Sequence, residues 1–323
     1  EACKAKGRFD PLMRIAIRRM AKSATEAAGN EGWGRATKSY NATSAFTAAF
    51  APPLAAAVTE KLGDVSQRQS LSLLDMAAGN GEASFRISNA LVRHCQAHGG
   101  AKVDVVATDF SSDMLGLCQS NLYEEDGTEA AKGTKAALEA GMLTFRTEVA
   151  DAQDHAAFAD ESFDVITCLF GLMFPPDPEK VVREYWRLLK PGGVAAVGVW
   201  HYNSVVEDTW PDLAHVFMKQ EKNIDVMPSS SRFSREGFLR SLFRSSQLWS
   251  DEDLEIRMGS ATVARLPDGI AAELNSNPFV SHFGQWDEGA ALEYLKKHWV
   301  NKDGMFEARG TVLIMTAVKP LKH

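Results

Sequence analysis

Between about residues 71 and 200, short apolar runs alternate with stretches whose apolar residues recur every three or four positions. Leu71-Ser72-Leu73-Leu74-Asp75-Met76 is the first run, and it ends in the small-residue turn Ala77-Ala78-Gly79-Asn80-Gly81. Ala83, Ile87, Ala90, Leu91 and Cys95 then follow helical spacing, and Gly99-Gly100 ends that helix. Val103–Asp109 reads as a second strand, with Ser111 or Ser112 capping a helix through Met114, Leu115 and Cys118. Met142–Val149 is a third strand. Phe163–Phe170 is a fourth, so continuously apolar that it suits a strand buried on both faces. Asp177 as N-cap and Pro178 at the first helical position open a helix through Val182, Tyr185, Trp186 and Leu189. That helix is expected to stop at Pro191-Gly192-Gly193, before a fifth strand, Val194–Trp200. Strand and helix in strict alternation predict a parallel sheet with helices on both faces.

The flanks are less regular. Residues 12–62 read as Ala-rich helix, interrupted at Gly29–Gly34 and at Pro52-Pro53, and residues 124–141 read as an exposed insertion. Beyond Trp200, residues 201–250 are irregular and rich in aromatics and Ser. Leu254–Met258 and Thr311–Val318 are late strand candidates, with helical spacing near Ala290–Trp299 between them. Four regions follow: an N-terminal helical extension or lid (1–66), a sheet core (67–200), a substrate-cap insertion (201–250), and C-terminal strands with a helical insertion (251–323).

Composition narrows the class. The chain has 323 residues, 45% hydrophobic and 24% charged, the ordinary balance of a soluble globular protein. No apolar run reaches the roughly 20 residues of a membrane span. A net charge of −7 offers no broad basic face to a phosphate backbone, so nucleic acid is an unlikely partner. The oligomeric state is not legible. Residues 1–22 run the other way, at net +5, and Leu12–Met20 fits a basic amphipathic helix. Either a solvated first helix or the remnant of an organelle-targeting peptide explains it. Cys3, Cys95, Cys118 and Cys168 form no C-x-x-C pair and no zinc-spaced cluster, so no metal is expected and free thiols in a reducing compartment are the simplest reading. The cytoplasm or an organelle lumen fits. The Asn41-Ala42-Thr43 sequon has no other sign of secretion beside it.

Candidate chemistry lies at the strand ends, where an open parallel sheet binds its ligands. The glycine turn lets the backbone approach a ligand closely. Asp109 ends the second strand, where a carboxylate can accept bonds from a ribose diol. Asp151, after the third strand, can accept from an adenine amino group beside the N–H of Ala152. Each acid alone is ordinary; the three features in order, in one domain, are not. Leu73–Gly81, Asp109, Ala150-Asp151-Ala152, Ser162–Thr167 and Leu188-Leu189-Lys190-Pro191-Gly192-Gly193 together resemble class I S-adenosylmethionine-dependent methyltransferases. The likeness is greatest to the small-molecule group that includes the ubiquinone and menaquinone C-methyltransferases. It covers about residues 33–200 and the final strand.

The resemblance implies an α/β, Rossmann-like, doubly wound and mostly parallel sheet. It would have an antiparallel C-terminal strand, an N-terminal helical segment and inserted cap elements. It also implies roles. Ala77, Gly79 and Gly81 would wrap the methionine part of S-adenosylmethionine, with Asp75 near its amino group. Asp109 would hold the ribose, Phe110 and Met114 would flank the adenine, and Asp151 and Ala152 would read its edge. Leu169 and Phe170 would wall the sulfonium, and Trp33 and Tyr40 would fold over the cofactor. Ala77 stands where many members have Gly, and an ordinary backbone conformation is expected there. His201, next after the fifth strand, is the candidate base, with Tyr202 and His215 weaker. Phe170, Phe174, Trp200 and His201 are the expected substrate contacts. Met173, Trp210, Phe217 and Trp249 are further cavity candidates, and Asn203, Arg232 and Arg235 could bind a polar head group. His155 is expected at the surface. Pro175-Pro176 comes too late after the fourth strand, and in the wrong aromatic context, for the box of amino-methylating enzymes. Ser84 at the third glycine position counts against a nicotinamide oxidoreductase. A non-catalytic scaffold and an RNA or protein methyltransferase are the remaining alternatives.

Overall fold

The computed structural model describes residues 30–201, 232–268 and 287–322. Its centre is a seven-stranded sheet in the order β3-β2-β1-β4-β5-β7-β6. The strands are β1 (Ser70–Met76), β2 (Lys102–Asp109), β3 (Leu143–Val149), β4 (Phe163–Leu169), β5 (Leu189–Trp200), β6 (Leu254–Arg265) and β7 (Phe306–Val318). The first five are mutually parallel, and β7 runs antiparallel to both of its neighbours. Leu71, Leu73, Leu74, Val103, Val105, Val165 and Val197 are almost wholly buried, as strands covered on both faces require.

Helices α1 (Asn30–Ala48) and α2 (Ala51–Leu62) precede β1, and α2 packs against β5 and α3 (Glu82–Ala97); α3, α4 (Ser112–Tyr123) and α5 (Glu129–Glu139) belong to the half that winds outward from β1 to β3. Helix α6 (Pro178–Leu188) joins β4 to β5, winding the other way from the centre. Right-handed crossovers in opposite directions put α3 and α6 on opposite faces and make the β1–β4 junction the switch point of the sheet. Helix α7 (Glu236–Ser245), within the segment expected as a cap, packs against α6, and α8 (Glu288–His298) buries Ala291 and Leu295. Among the described residues no helix is long and apolar enough to cross a membrane.

Several boundaries differ from the pattern, each for a local reason. Helix α1 runs straight through Gly34, and Pro52 and Pro53 occupy the first turn of α2, where a missing N–H costs nothing. Residues 129–139 are a packed helix, not an exposed insertion: Ala131, Thr134 and Ala137 are buried, and Asn89 of α3 donates to the Ala130 carbonyl at 2.8 Å. Its contact face is built of small residues, which carry little hydrophobic signal. Helix α6 ends at Leu188. Leu189 already pairs with Phe163, so Pro191-Gly192-Gly193 lies inside an irregular start of β5. Strands β6 and β7 pair with each other from Leu254↔Ala317 to Arg265↔Phe306 and project past the end of β5.

Candidate functional site

The turn after β1 is built from left-handed residues. Gly79 has φ 57° and Gly81 φ 84°, which glycine adopts at no steric cost, and a β-carbon on Gly81 would collide with Phe85 and Cys118. Ala77 is also left-handed, at φ 55°. The expectation of an ordinary conformation there is therefore corrected: its β-carbon carries a cost of about 1 kcal/mol, and glycine fits this position for that reason. The turn is anchored to β2, with Ala78 N–H donating to the Thr108 carbonyl at 2.9 Å and Gly79 N–H to Asp109 Oδ2 at 2.9 Å. Asp75 lies beneath the turn, 2% exposed. Thr167 Oγ1 donates to its Oδ1 at 2.6 Å, and the Ser84 hydroxyl donates to its Oδ2. Burial pushes its pKa up to about 6 against those two bonds. Its two oxygens serve the fold, tying β1 to β4 and α3.

Asp109 is likewise buried, at 7% exposure. Its Oδ1 accepts the Ser111 N–H at 2.9 Å, and Ser111 caps α4. Burial raises its pKa, against the pull of the Ser111 and Gly79 N–H groups. Its carbonyl accepts the Ala150 N–H at 3.1 Å, which brings the loop carrying Asp151 alongside. Asp151 is exposed, accepts the Gln153 N–H at 2.9 Å, and precedes a half-buried Ala152. Met114 is buried, whereas Phe110 is 42% and Val149 59% exposed. Two uncovered apolar side chains thus stand beside two carboxylates at the ends of β2 and β3.

Helix α1 covers the turn. The Tyr40 ring lies over Gly79, 3.6 Å from where a β-carbon would be, and Trp33 meets both Tyr40 and Phe174 edge-on, at 5.9 and 5.8 Å. The Asn80 amide donates to Asn41 Oδ1 at 2.9 Å and to Ser44 Oγ at 2.8 Å, and Asn121 of α4 donates to Asn41 Oδ1 at 3.0 Å. In the sequence Asn41 figures only as part of a sequon and Asn80 only as part of the turn, and none of the three asparagines is assigned to the site. The signal was their one-helix-face spacing (Asn41, Ser44) opposite a polar residue between two glycines.

The end of β4 turns sharply too, with Phe170 at φ 60°. Phe170 and Trp200 were expected as substrate contacts. In the structure both are buried, stacked on each other at 3.9 Å, with Phe46 and Phe50 closing the cluster at 5.4 to 5.6 Å. Leu169 and Phe174 are half-buried. Met173 and Trp249 are buried, Trp249 lying against Trp186 and Phe243. His201 is half-buried and donates its N–H to the Thr311 carbonyl at 2.9 Å. It lines a cavity of about 370 Å³ together with Ser234, Arg235, Ile256, Met258 and Leu313. His155, expected at the surface, is 1% exposed, because its ring packs on Phe158 and reaches Thr108. Arg232 is half-buried with its guanidinium over Phe233. Residues 1–22, Tyr202, Asn203, Trp210, His215 and Phe217 lie outside the described residues.

Residues 74–197 match a family described as a methyltransferase domain. The chain is 29% identical over 198 residues to the demethylmenaquinone methyltransferase of Lactococcus lactis, covering 57% of this chain and 67% of that protein. It is 31% identical over 121 residues to the ubiquinone/menaquinone biosynthesis C-methyltransferase UbiE of Bartonella quintana. That match spans only 38% of either chain. Among solved structures, YcgJ of Bacillus subtilis superimposes with a TM-score of 0.47 at 17% identity, over 83% of this chain and 99% of that one. In sequence, then, residues 74–197 are those of a methyltransferase domain, and they lie in a doubly wound, mostly parallel sheet.

Proposed function

We propose that the protein transfers a methyl group from S-adenosylmethionine to a small-molecule acceptor with an apolar, ring-bearing body. The observation that carries this reading is the convergence, at the switch-point edge, of the left-handed turn, the Asp109 carboxylate bonded to it, and the Asp151 loop bonded to Asp109. The residues fit the cofactor. Each carboxylate oxygen of Asp109 accepts one N–H and retains a lone pair for a ribose hydroxyl. Phe110 and Val149 offer apolar surface for a base, with Asp151 and the Ala152 N–H at its edge. Gly79, under Tyr40, would leave the backbone open to the amino-acid end, Gly81 lets the turn close on Phe85 and Cys118, and Leu169 would stand at the sulfonium side. When bound, S-adenosylmethionine supplies an electrophilic methyl on a sulfonium, so a base is needed only where the acceptor must lose a proton.

The chain's own contribution is alignment and exclusion of water. Helix α1, latched by Asn41 and Ser44 to Asn80, covers the turn. Trp33 and Phe174, partly exposed, would form the acceptor wall. The two quinone-pathway relatives act, by name, on ring compounds, and that motivates the acceptor class. His201 is the proposed base for a protic acceptor. On this reading residues 1–66 act as lid and 201–250 as substrate cap.

Titration calorimetry with S-adenosylmethionine is expected to give one site per chain, and Asp109→Ala to weaken it about tenfold or more, the scale of a lost charge-assisted hydrogen bond. Normal binding by that variant would overturn the ribose assignment. Turnover is read by incubating the protein with metabolite extract and cofactor carrying a labelled methyl. Label in a small molecule supports the reading, whereas no label at all indicates a scaffold, and label in RNA or protein overturns the acceptor class. Once an acceptor is known, His201→Ala is expected to lower turnover without changing cofactor affinity, and unchanged turnover removes it as the base.

A further inference from the structure

We infer that His155 is a positioning residue for the cofactor cleft, locking the Asp151 loop to the strand end that carries Asp109. The inference rests on the methyltransferase reading above and adds to it a residue that touches no cofactor itself.

His155 is a junction between three elements. Its backbone N–H donates to Glu184 Oε2 at 3.0 Å and its carbonyl accepts from Arg187 Nη2 at 3.0 Å, both on α6. Its side chain turns the opposite way, with Nε2 at 3.2 Å from Thr108 Oγ1 on β2. Thr108 is itself bound to the glycine turn: its carbonyl accepts the Ala78 N–H at 2.9 Å, and its hydroxyl donates to the Asp75 carbonyl at 3.3 Å. The residue after Thr108 is Asp109, and the residue four before His155 is Asp151. The imidazole therefore closes a short loop between the two carboxylates proposed for the ribose and the adenine.

The hydrogen-bond inventory fits one tautomer. Thr108 has one hydroxyl proton, and the Asp75 carbonyl, 3.3 Å from the hydroxyl, accepts it. On that assignment His155 Nε2 carries a hydrogen and donates to Thr108. That leaves Nδ1 bare, and among the described residues it has no hydrogen-bond partner although it is buried. A proton on Nδ1 would create a buried, charged N–H with nothing to accept it, which costs more than the Thr108 bond provides. The groups facing the ring are Glu184 and Arg187 from α6, Thr108 from β2, and Asp151, Asp154 and Phe158 from its own loop. Burial dominates them and holds the imidazole below its ordinary value, while Glu184 and Asp151 pull the other way. The tie is therefore intact with the ring neutral; a proton on Nδ1 leaves the Nε2–H donor in place, so acidification weakens the tie by driving the charged ring from its buried site, at pH values below the ordinary imidazole range.

The test is calorimetry of S-adenosylmethionine against pH, from 8 to 5, on the wild type, His155→Gln and Thr108→Val. Glutamine keeps an N–H donor at the Nε2 position and does not titrate. Asp75 and Asp109 titrate in both wild type and His155→Gln, so the difference between those two profiles isolates His155. Wild-type Kd is expected to rise on acidification more steeply than that of His155→Gln, by at most about tenfold per pH unit for one proton. Thr108→Val, which removes the acceptor, is expected to weaken binding about fivefold at pH 8, the scale of one hydrogen bond. Long-range ¹H–¹⁵N spectra of the wild type should show the Nε2–H tautomer with an unprotonated Nδ1. Superimposable pH profiles for wild type and His155→Gln, or an Nδ1–H tautomer, would overturn the inference while leaving the cofactor reading intact. Absence of binding by the wild type at every pH would remove both.

Discussion

At the scale of single residues, the site draws on groups whose preferred state differs from their exposed one. Ala77 holds a left-handed conformation that glycine would hold more cheaply, and Phe170 does the same at the end of β4. Asp75 is the sharpest case. Its carboxyl is fully buried, with a pKa near 6 in the native state against 3.8 unfolded. A raised carboxyl contributes stability that is fully present below pH 3.8 and is lost as pH rises through 6. The shift bounds the loss at about 3 kcal/mol. Asp75→Asn keeps the shape, since an amide oxygen can accept from Thr167 while its N–H donates to Ser84. Urea unfolding at pH 4.5 and 7.5 is expected to show the wild type losing about 2 kcal/mol more than Asp75→Asn over that interval, the part of the shift not already lost below pH 4.5. Parallel losses would mean that Asp75 does not ionise there.

At the scale of elements, what was legible in the sequence followed from what each element buries. Strands β1 to β4, covered on both faces, write long apolar runs, and their helices write a three-to-four spacing. Their order, the glycine turn and the two acids at strand ends could therefore be read directly. The caps were legible too: Ser111 and Asp177 accept the N–H groups of Met114 and Lys180 in their own helices. Helix α5 was missed because Ala131, Thr134 and Ala137 pack by close approach rather than by bulk. The full length of β6 and β7 was missed because their distal halves pair chiefly with each other, so pairing rather than hydrophobicity extends them. The aromatic cluster of Phe46, Phe50, Phe170 and Trp200 was missed for a third reason. Its members come from α1, the α1–α2 junction, β4 and β5, and spacing along the chain carries no trace of a meeting across it. His155 was misplaced by the same limit, since only the fold brings residue 108 to residue 155.

At the scale of the whole molecule, the sheet has two edges with different tasks. The cleft lies at the C-terminal ends of the strands. The opposite edge is stitched by Asp164, 2% exposed, near the start of β4. It accepts from the Ser72 N–H at 2.9 Å and from Lys190 Nζ at 2.7 Å, and pairs with Arg68, so that the starts of β1, β4 and β5 share one carboxylate. Burial pushes its pKa up, but Lys190 and the two donors of Ser72 outweigh that and hold it below the usual carboxylate value. A depressed carboxyl contributes stability present above its unfolded value of 3.8 and lost as pH falls through the lower native one. Asp164→Asn leaves two cations beside a neutral amide. Because Arg68 and Lys190 are partly solvated, the expected loss is about 2–3 kcal/mol, below that of a fully buried broken pair. Thermal and urea unfolding at pH 7 should show that loss, and the gap to wild type should narrow toward pH 3. Cofactor affinity should stay within about twofold of wild type at pH 7, since sites without shared partners contribute nearly additively. A weakening beyond that would mean that the bottom of the sheet sets the geometry of its top, and that the division of labour between the two edges does not hold.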